Sequence, residues 1–232
     1  LYESVSIQPY SPAAGTGLSS HELNQPGTYK DVKDTSAVAM FKATQTSLDN
    51  CKWFAGVDQS LMEGKEVFLM AWTTTPWTLP SNLGLTVGPN IDYVLVKTFN
   101  PYTFLPVNVI LAKALLGKYF KPEGENGSFE EFNEKTKLLP WTILATFKGV
   151  EIEGMEYEQL LPYESNSLKA ILAITPDAKP FRVISGDFVT TEDGTGIVHT
   201  APAFGADDYK VGKKFNIGIL TMVDREGKFV DG

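Results

Sequence analysis

Cysteine and histidine are nearly missing from this sequence, which carries one cysteine, Cys51, and two histidines, His21 and His199, in 232 residues. A lone cysteine forms no internal disulfide, and this set supplies no spaced ligands for structural zinc, so a reduced protein without metal or other cofactor is expected. Cys51 has no surrounding pattern of His and Asn partners that would mark a thiol nucleophile, and it reads as a structural thiol. Basic residues are outnumbered, 20 against 28 acidic ones, for a formal net charge of −8. That balance excludes a nonspecific grip on nucleic acid, which comes from Lys and Arg neutralising phosphates, and leaves room only for a short local contact. No apolar run approaches a membrane span, and Leu1-Tyr2-Glu3-Ser4 has neither the basic nor the apolar region of a signal peptide. The expectation is a cytoplasmic setting without a membrane partner, in which Asn126-Gly127-Ser128 is an idle glycosylation match. Internal repeats and a Walker-type phosphate loop are absent too, and the GTG of Gly194 to Gly196 is by itself a weak hint of anything.

What is present is a hydrophobic fraction of 43%, enough to build the core of one large domain or two small ones. Residues 1 to 30 open with an alternating piece, Tyr2 to Ile7, and continue in a Pro-, Gly- and Ser-rich stretch that predicts an irregular, linker-like surface segment holding His21 as a solvated or capping residue. Ser36 to Lys42 reads as a strand, and Trp53-Phe54 with Val57 as a short packed satellite. Leu83 to Val87 and Tyr93 to Thr98 are β-rich runs joined across Gly88-Pro89-Asn90, which predicts a hairpin. Val107 to Phe120 places Val109, Ala112, Leu116 and Phe120 near one helical face and predicts a helix of about three turns. Phe129 to Lys137 reads as a solvated helix or loop. Trp141 to Tyr157 and Phe181 to Thr190 alternate β-branched and aromatic residues with polar ones around Gly149, Gly154 and Gly186, predicting short twisted strands. Thr221 to Gly232 reads as a turn and edge strand. Many short strands with few helices predict a mainly β fold, rich in β-barrel and with peripheral α-helices.

Two stretches carry candidate chemistry. In Val67 to Asn82, VFLMAWTTTPWTLPSN, an apolar run of strand length ends abruptly in Thr73, Thr74, Thr75 and Pro76, a buried strand delivering a polar loop. Loops held this way are good places for chemistry, although adjacent threonines also cap helices or merely end strands. In Gly194 to Asp208, GTGIVHTAPAFGADD, a short strand at Ile197-Val198 carries His199 at its end, and Ala201-Pro202 stops it. A helix is expected over 206–215 with Asp207 and Asp208 in its first turn, where the helix dipole is a complete structural explanation for either carboxylate.

Together, TTTPWTLPSN and GTGIVHTAPAFGADD resemble the two signatures of the editing insertion of isoleucyl-tRNA synthetases. In valyl and leucyl relatives the first signature usually reads TTRP, so Thr75 argues against those families. The resemblance implies an aminoacyl-tRNA deacylase that hydrolyses the ester of Val-tRNA(Ile) and rejects isoleucine by size. One methylene in an apolar pocket supplies only about 1–3 kcal/mol, a figure whose usual illustration is this very family, so a second sieve is needed for accurate translation. On the matched positions, Asp208 holds the substrate's ammonium group, and Thr73, Thr74 and Thr75 position ribose, ester and water. Thr78 and His199 limit side-chain size, Asn82 is a polar residue of the same loop, and Trp77 joins it at the substrate. The implied partners are the 3′ end of tRNA(Ile) carrying valine and the remainder of a parent synthetase, because the nucleotide motifs of a synthetic half are missing. The implied unit is one editing domain over 1–232. A catalytically idle tRNA-binding insertion is the alternative from another class, and a deacylation assay separates the two.

Overall fold

The computed structural model describes residues 7–31, 33–62, 64, 66–133, 135–136, 138–161 and 167–230. The expected strand over Tyr2 to Ile7 therefore falls almost wholly outside the described residues, as do Lys137 and the last two residues of the C-terminal stretch. The segment read as irregular holds a two-strand ladder, β1 (Tyr10–Ser11) against β2 (Thr16–Gly17), and a single helical turn, α1 (Ser20–Leu23), capped by Ser19. His21 is exposed on that turn, its Nδ1 3.0 Å from Gln25 Nε2.

The body of the molecule is one eight-stranded sheet. Its strands are β3 (Ala37–Lys42), β4 (Val67–Thr73), β5 (Gly84–Val87), β6 (Asp92–Phe99), β7 (Pro106–Ala112), β8 (Thr142–Lys148), β9 (Arg182–Ser185) and β10 (Ile197–Thr200). The order is β8-β6-β7-β4-β10-β5-β9, with β3 added on β4. Short helices α2 (Gln45–Asp49), α3 (Lys52–Ala55) and α4 (Leu116–Tyr119) cover the sheet, while α5 (Ser167–Ile174) and α6 (Ala206–Phe215) flank its β9 end. The expected β-rich fold with peripheral helices is what the chain adopts.

β4 organises the sheet because it has three neighbours. β3 runs antiparallel along one edge; on the other, β7 is parallel to Val67–Leu69 and β10 is parallel at Trp72. Beyond β9 the sheet curls back on β3 through a short stave at Glu156 and Tyr157. Ala43 bridges Tyr157, Glu156 bridges Arg182, and the Thr44 and Tyr157 amides donate to Glu156 O and Phe181 O at 2.9 and 3.0 Å. Inside the resulting barrel the side chains that alternate inward, Leu69, Leu85, Leu95, Ile110 and Val183 among them, form the main core. The opposite faces of β4, β6 and β7 build a second cluster around Val94, Leu111 and Trp141, and a third lies under α5 and α6 around Ile171, Ile184 and Ile217.

Two expectations fail, each for a reason set by pairing. Val107 to Phe120 begins not as a helix but as β7, which gives way to a 3-10 turn at Lys113–Leu115 and then α4. Because β7 is buried on both faces, its apolar run lacks the alternation of a half-exposed strand and imitates helical spacing. The hairpin of β5 and β6 is also absent. Both edges of β5 are occupied by β10 and β9, and both edges of β6 by β7 and β8, so Gly88-Pro89-Asn90 is a corner from the barrel into the β6-β7-β8 wing.

Candidate active site

Parallel pairing of β4 and β10, with Val198 opposite Trp72, brings the ends of the two signature stretches to one end of the sheet. The glycines of GTG serve this crossing. Gly194, at φ 70°, lies against the Trp72 side chain, where an added Cβ would meet ring carbon Cε3 at 2.8 Å. Gly196, at φ 76°, leaves no room for a Cβ, which would fall 2.4 Å from Ala112 Cβ of β7. The Ala112 amide donates to Thr195 O at 2.8 Å, and the Tyr93 hydroxyl donates to Gly196 O at 2.6 Å, which fixes how β10 enters.

The three threonines are not equivalent. Thr73 is buried, and its Oγ1 accepts the Thr75 amide at 3.0 Å and lies 3.3 Å from Thr75 Oγ1, which makes a tight polar turn at the strand end. Thr75 is half-buried, and Thr74 is exposed with no partner for its hydroxyl among the described residues. Pro76 then starts a 3-10 segment, Pro76–Ser81, that leaves Trp77 50% exposed on the rim and turns Thr78 inward. The Thr75 carbonyl accepts both the amide and the hydroxyl of Thr78, at 3.0 and 2.8 Å.

His199, 6% exposed, sits on β10 opposite Leu85 and is held at both ring nitrogens. Nε2 lies 2.9 Å from Thr78 Oγ1, and Nδ1 lies 2.8 Å from Asn82 Nδ2. Asn82 also donates to Gly84 O at 2.9 Å, and its Oδ1 accepts the Tyr157 hydroxyl at 2.6 Å. Burial pulls the imidazole down to about 4, and the hydrogen bond with Thr78 offsets this only in part. Nδ1 facing an amide N–H also disfavours a second ring proton, so His199 is neutral at pH 7. Both ring nitrogens are thus engaged by protein partners.

The two aspartates of α6 separate clearly. Asp207 is exposed and pairs with Lys210 at 3.2 Å, as a residue of a solvated first turn does. Asp208 is half-buried, and its Oδ2 accepts the Ala201 amide at 2.9 Å, which ties it to the end of β10 two residues past His199. Burial pushes its carboxyl above the usual carboxylate range, the Ala201 bond works against that, and Asp207 adds to the rise. A partly desolvated carboxylate with one oxygen committed to backbone is well suited to hold a cation with the other.

Thr73, Thr75, Thr78, Asn82 and His199 thus form one connected polar network, Asp208 anchors beside it, and Thr74 and Trp77 lie at its outer edge. Sequence reasoning missed Tyr157, which belongs to the stave and meets Asn82 only because the barrel closes. No local signal marks it. Cys51 is half-buried at the start of α3, where burial raises its thiol, consistent with a structural role. Among the described residues there is no group of acidic, His or Cys side chains that would hold a metal ion, and no helix long and apolar enough to cross a membrane.

No family model matches the chain. An isoleucine–tRNA ligase of Cytophaga hutchinsonii is 56% identical over 232 residues, which cover 99% of this chain and 19% of that protein. The corresponding ligase of Bacteroides fragilis is 51% identical over 228 residues, covering 98% and 18%, and that of Clostridium tetani 41% identical over 232 residues, covering 100% and 17%. The chain spans about a fifth of the length of these curated relatives. Among solved structures, one described as "The crystal structure of GlLeuRS-CP1" matches with a TM-score of 0.50 at 17% identity, covering 77% of this chain and 59% of that one, which shows a shared fold.

Proposed function

We propose, of a chain homologous to a segment of isoleucine–tRNA ligases, that it is an editing domain, one that hydrolyses the ester of Val-tRNA(Ile) to valine and tRNA(Ile) while excluding isoleucine. The observation that carries this reading is the joining of the threonine loop, His199 and Asp208 at the paired ends of β4 and β10. In this reading the rest of a synthetase and the acceptor end of tRNA are the partners, the setting is cytoplasmic, and the domain extends over 1–232.

The chemistry needs no protein nucleophile. An aminoacyl ester is activated, and a positioned water adds to its carbonyl carbon; collapse of the adduct breaks the bond to the ribose oxygen, which takes up a proton as the hydroxyl leaves. The free Asp208 oxygen pairs with the substrate ammonium. Thr74, whose hydroxyl is uncommitted, and the strand-end amides around Thr75 orient ester and water, with hydroxyls too weakly activated to attack themselves. Thr78 and the carbon face of His199 form the wall that a larger side chain meets. The test is release of valine from Val-tRNA(Ile) by this chain and by a full-length ligase containing it. No release above the spontaneous rate in both preparations would favour an idle tRNA-binding module.

A further inference from the structure

We propose that Tyr157 is a positioning residue of this site: acting through Asn82, it holds His199 in the Nε2–H tautomer and so turns the Thr78 hydroxyl toward the Thr75 carbonyl rather than into the pocket. The inference deepens the ester-hydrolysis reading and rests on it for its catalytic consequence. A run of partners fixes each proton. Thr75 O, an acceptor only, lies 2.8 Å from the Thr78 hydroxyl, and with the Thr78 proton placed there His199 Nε2, 2.9 Å from the same oxygen, is the donor. Nδ1 is then the acceptor, and Asn82 Nδ2 donates to it at 2.8 Å. Two contacts orient the Asn82 amide: its second N–H donates to Gly84 O, and its oxygen takes the Tyr157 hydroxyl. Turning the amide over would set Asn82 Oδ1 against Gly84 O and leave the phenol proton without an acceptor, so the protons from Tyr157 to Thr75 all point one way.

Tyr157 is built for this task. It is 3% exposed, its ring meets Phe41 and Phe181 edge-on at centroid distances of 5.2 and 6.4 Å, and its hydroxyl lies within 2.6 Å of Asn82 Oδ1. Phe181 adopts φ 57°, a region bulky side chains rarely occupy. From there its carbonyl accepts the Tyr157 amide and its own amide donates to Leu83 O at 2.7 Å, beside Asn82. A buried phenol has no water to fall back on, so its proton must find a protein acceptor. With the other tautomer, Nε2 would accept from Thr78 and the pocket wall would change its polarity.

With only two histidines in the chain, ¹⁵N-labelled histidine resolves the question directly, and exposed His21 is the internal reference. In the wild type at pH 7, His199 should show a protonated Nε2 and a bare Nδ1. Tyr157→Phe keeps the ring packing and removes the proton donor; its His199 signals should move toward an average of tautomers. Its kcat for Val-tRNA(Ile) should fall roughly five- to ten-fold, the worth of one orienting hydrogen bond, with KM little changed. Asn82→Asp, which opposes Nδ1 with an acceptor, should bring a proton onto Nδ1 and gives a second route if Tyr157→Phe folds poorly. An Nδ1–H ring in the wild type, a folded Tyr157→Phe with an unchanged tautomer, or a lost tautomer preference with unchanged kcat would each overturn the proposal. Failure of the wild type to hydrolyse the ester would instead strike the functional reading, and the tautomer measurement would still decide the lock.

Discussion

At the scale of single residues, the neighbouring carboxylates of α6 make the sharpest contrast, because Asp208 is tied to the Ala201 amide and Asp207 to a solvated lysine. Asp208→Ala should abolish deacylation and loosen binding of a nonhydrolysable valyl-adenosine analogue by about 1.5–3 kcal/mol, the range for a charge-assisted hydrogen bond. Asp207→Asn should lose little, as steady-state deacylation and analogue titration would show. Equal losses in the two variants would remove the anchor role from Asp208. His199 gives a second expectation, in stability. Its folded-state value of about 4 lies below the ordinary histidine value of 6.5, so between those pH values the unfolded chain binds more protons and stability rises with pH. The contribution is complete above about pH 6.5, is lost as pH falls toward 4, and amounts to something on the order of 3 kcal/mol. Urea unfolding of wild type against His199→Gln across that window should show this rise as the difference between the two. The carboxyl of Asp208, raised in the fold, works in the opposite direction at the acid end and cancels in the comparison. The residue types on these two signatures were legible in the sequence, but not their placement: ADD does not say which carboxylate is buried, and TTT does not say that Thr73 is buried against Thr75 while Thr74 is exposed.

At the scale of elements, the junction of β4, β7 and β10 decides where everything else lies, and Gly196 is its tightest point. Gly196→Ala adds a Cβ 2.4 Å from Ala112 Cβ at a φ that alanine disfavours, so it should destabilise the chain by about 2–4 kcal/mol and misplace His199. Gly117→Ala, in exposed α4 with no atom within 4 Å of the added carbon, should stabilise by about 0.5–1 kcal/mol. Denaturant midpoints of the two variants provide the check, and similar midpoints would mean the junction yields more readily than its contacts imply. The strands with a polar end, β4 and β10, and helix α6 with its acidic start were readable, because their boundaries are marked by Thr, Pro and Asp. β7 was not, since Val109 and Ile110 are buried on opposite faces and the missing alternation hides the strand. Nor was the corner at Gly88-Pro89-Asn90, because which edges of β5 and β6 are free depends on β9, β10 and β8, distant in sequence.

At the scale of the whole molecule, closure of the barrel makes the site a joint product of distant segments: Tyr157 of the stave reaches Asn82, 75 positions away, and Asn82 reaches His199, 117 positions away. No window of sequence contains that relation, which is why the part of the network behind His199 was invisible while the two signatures stood out. The net charge of −8 also belongs to this scale, and it disfavours a nonspecific grip on nucleic acid, so the proposed function rests on a local site. In that site Thr78 and His199 form one hydrogen-bonded pair, 2.9 Å apart, with Asn82 holding the other ring nitrogen. In the proposed function, rejection of isoleucine is a clash against this pair, and removing bulk should widen the sieve without touching Asp208. His199→Ala or Thr78→Ala should admit the isoleucyl ester while valyl hydrolysis persists in part. The gain in relative isoleucyl hydrolysis should be about 10- to 200-fold, the scale set by one methylene. Deacylation of Val-tRNA(Ile) and Ile-tRNA(Ile), compared in a full-length ligase so that tRNA affinity does not limit the reaction, measures the ratio. If both variants fold and the ratio stays at the wild-type value, the size limit lies elsewhere on the pocket; if valyl hydrolysis slows while isoleucine is still refused, the wall positions the substrate rather than measures it.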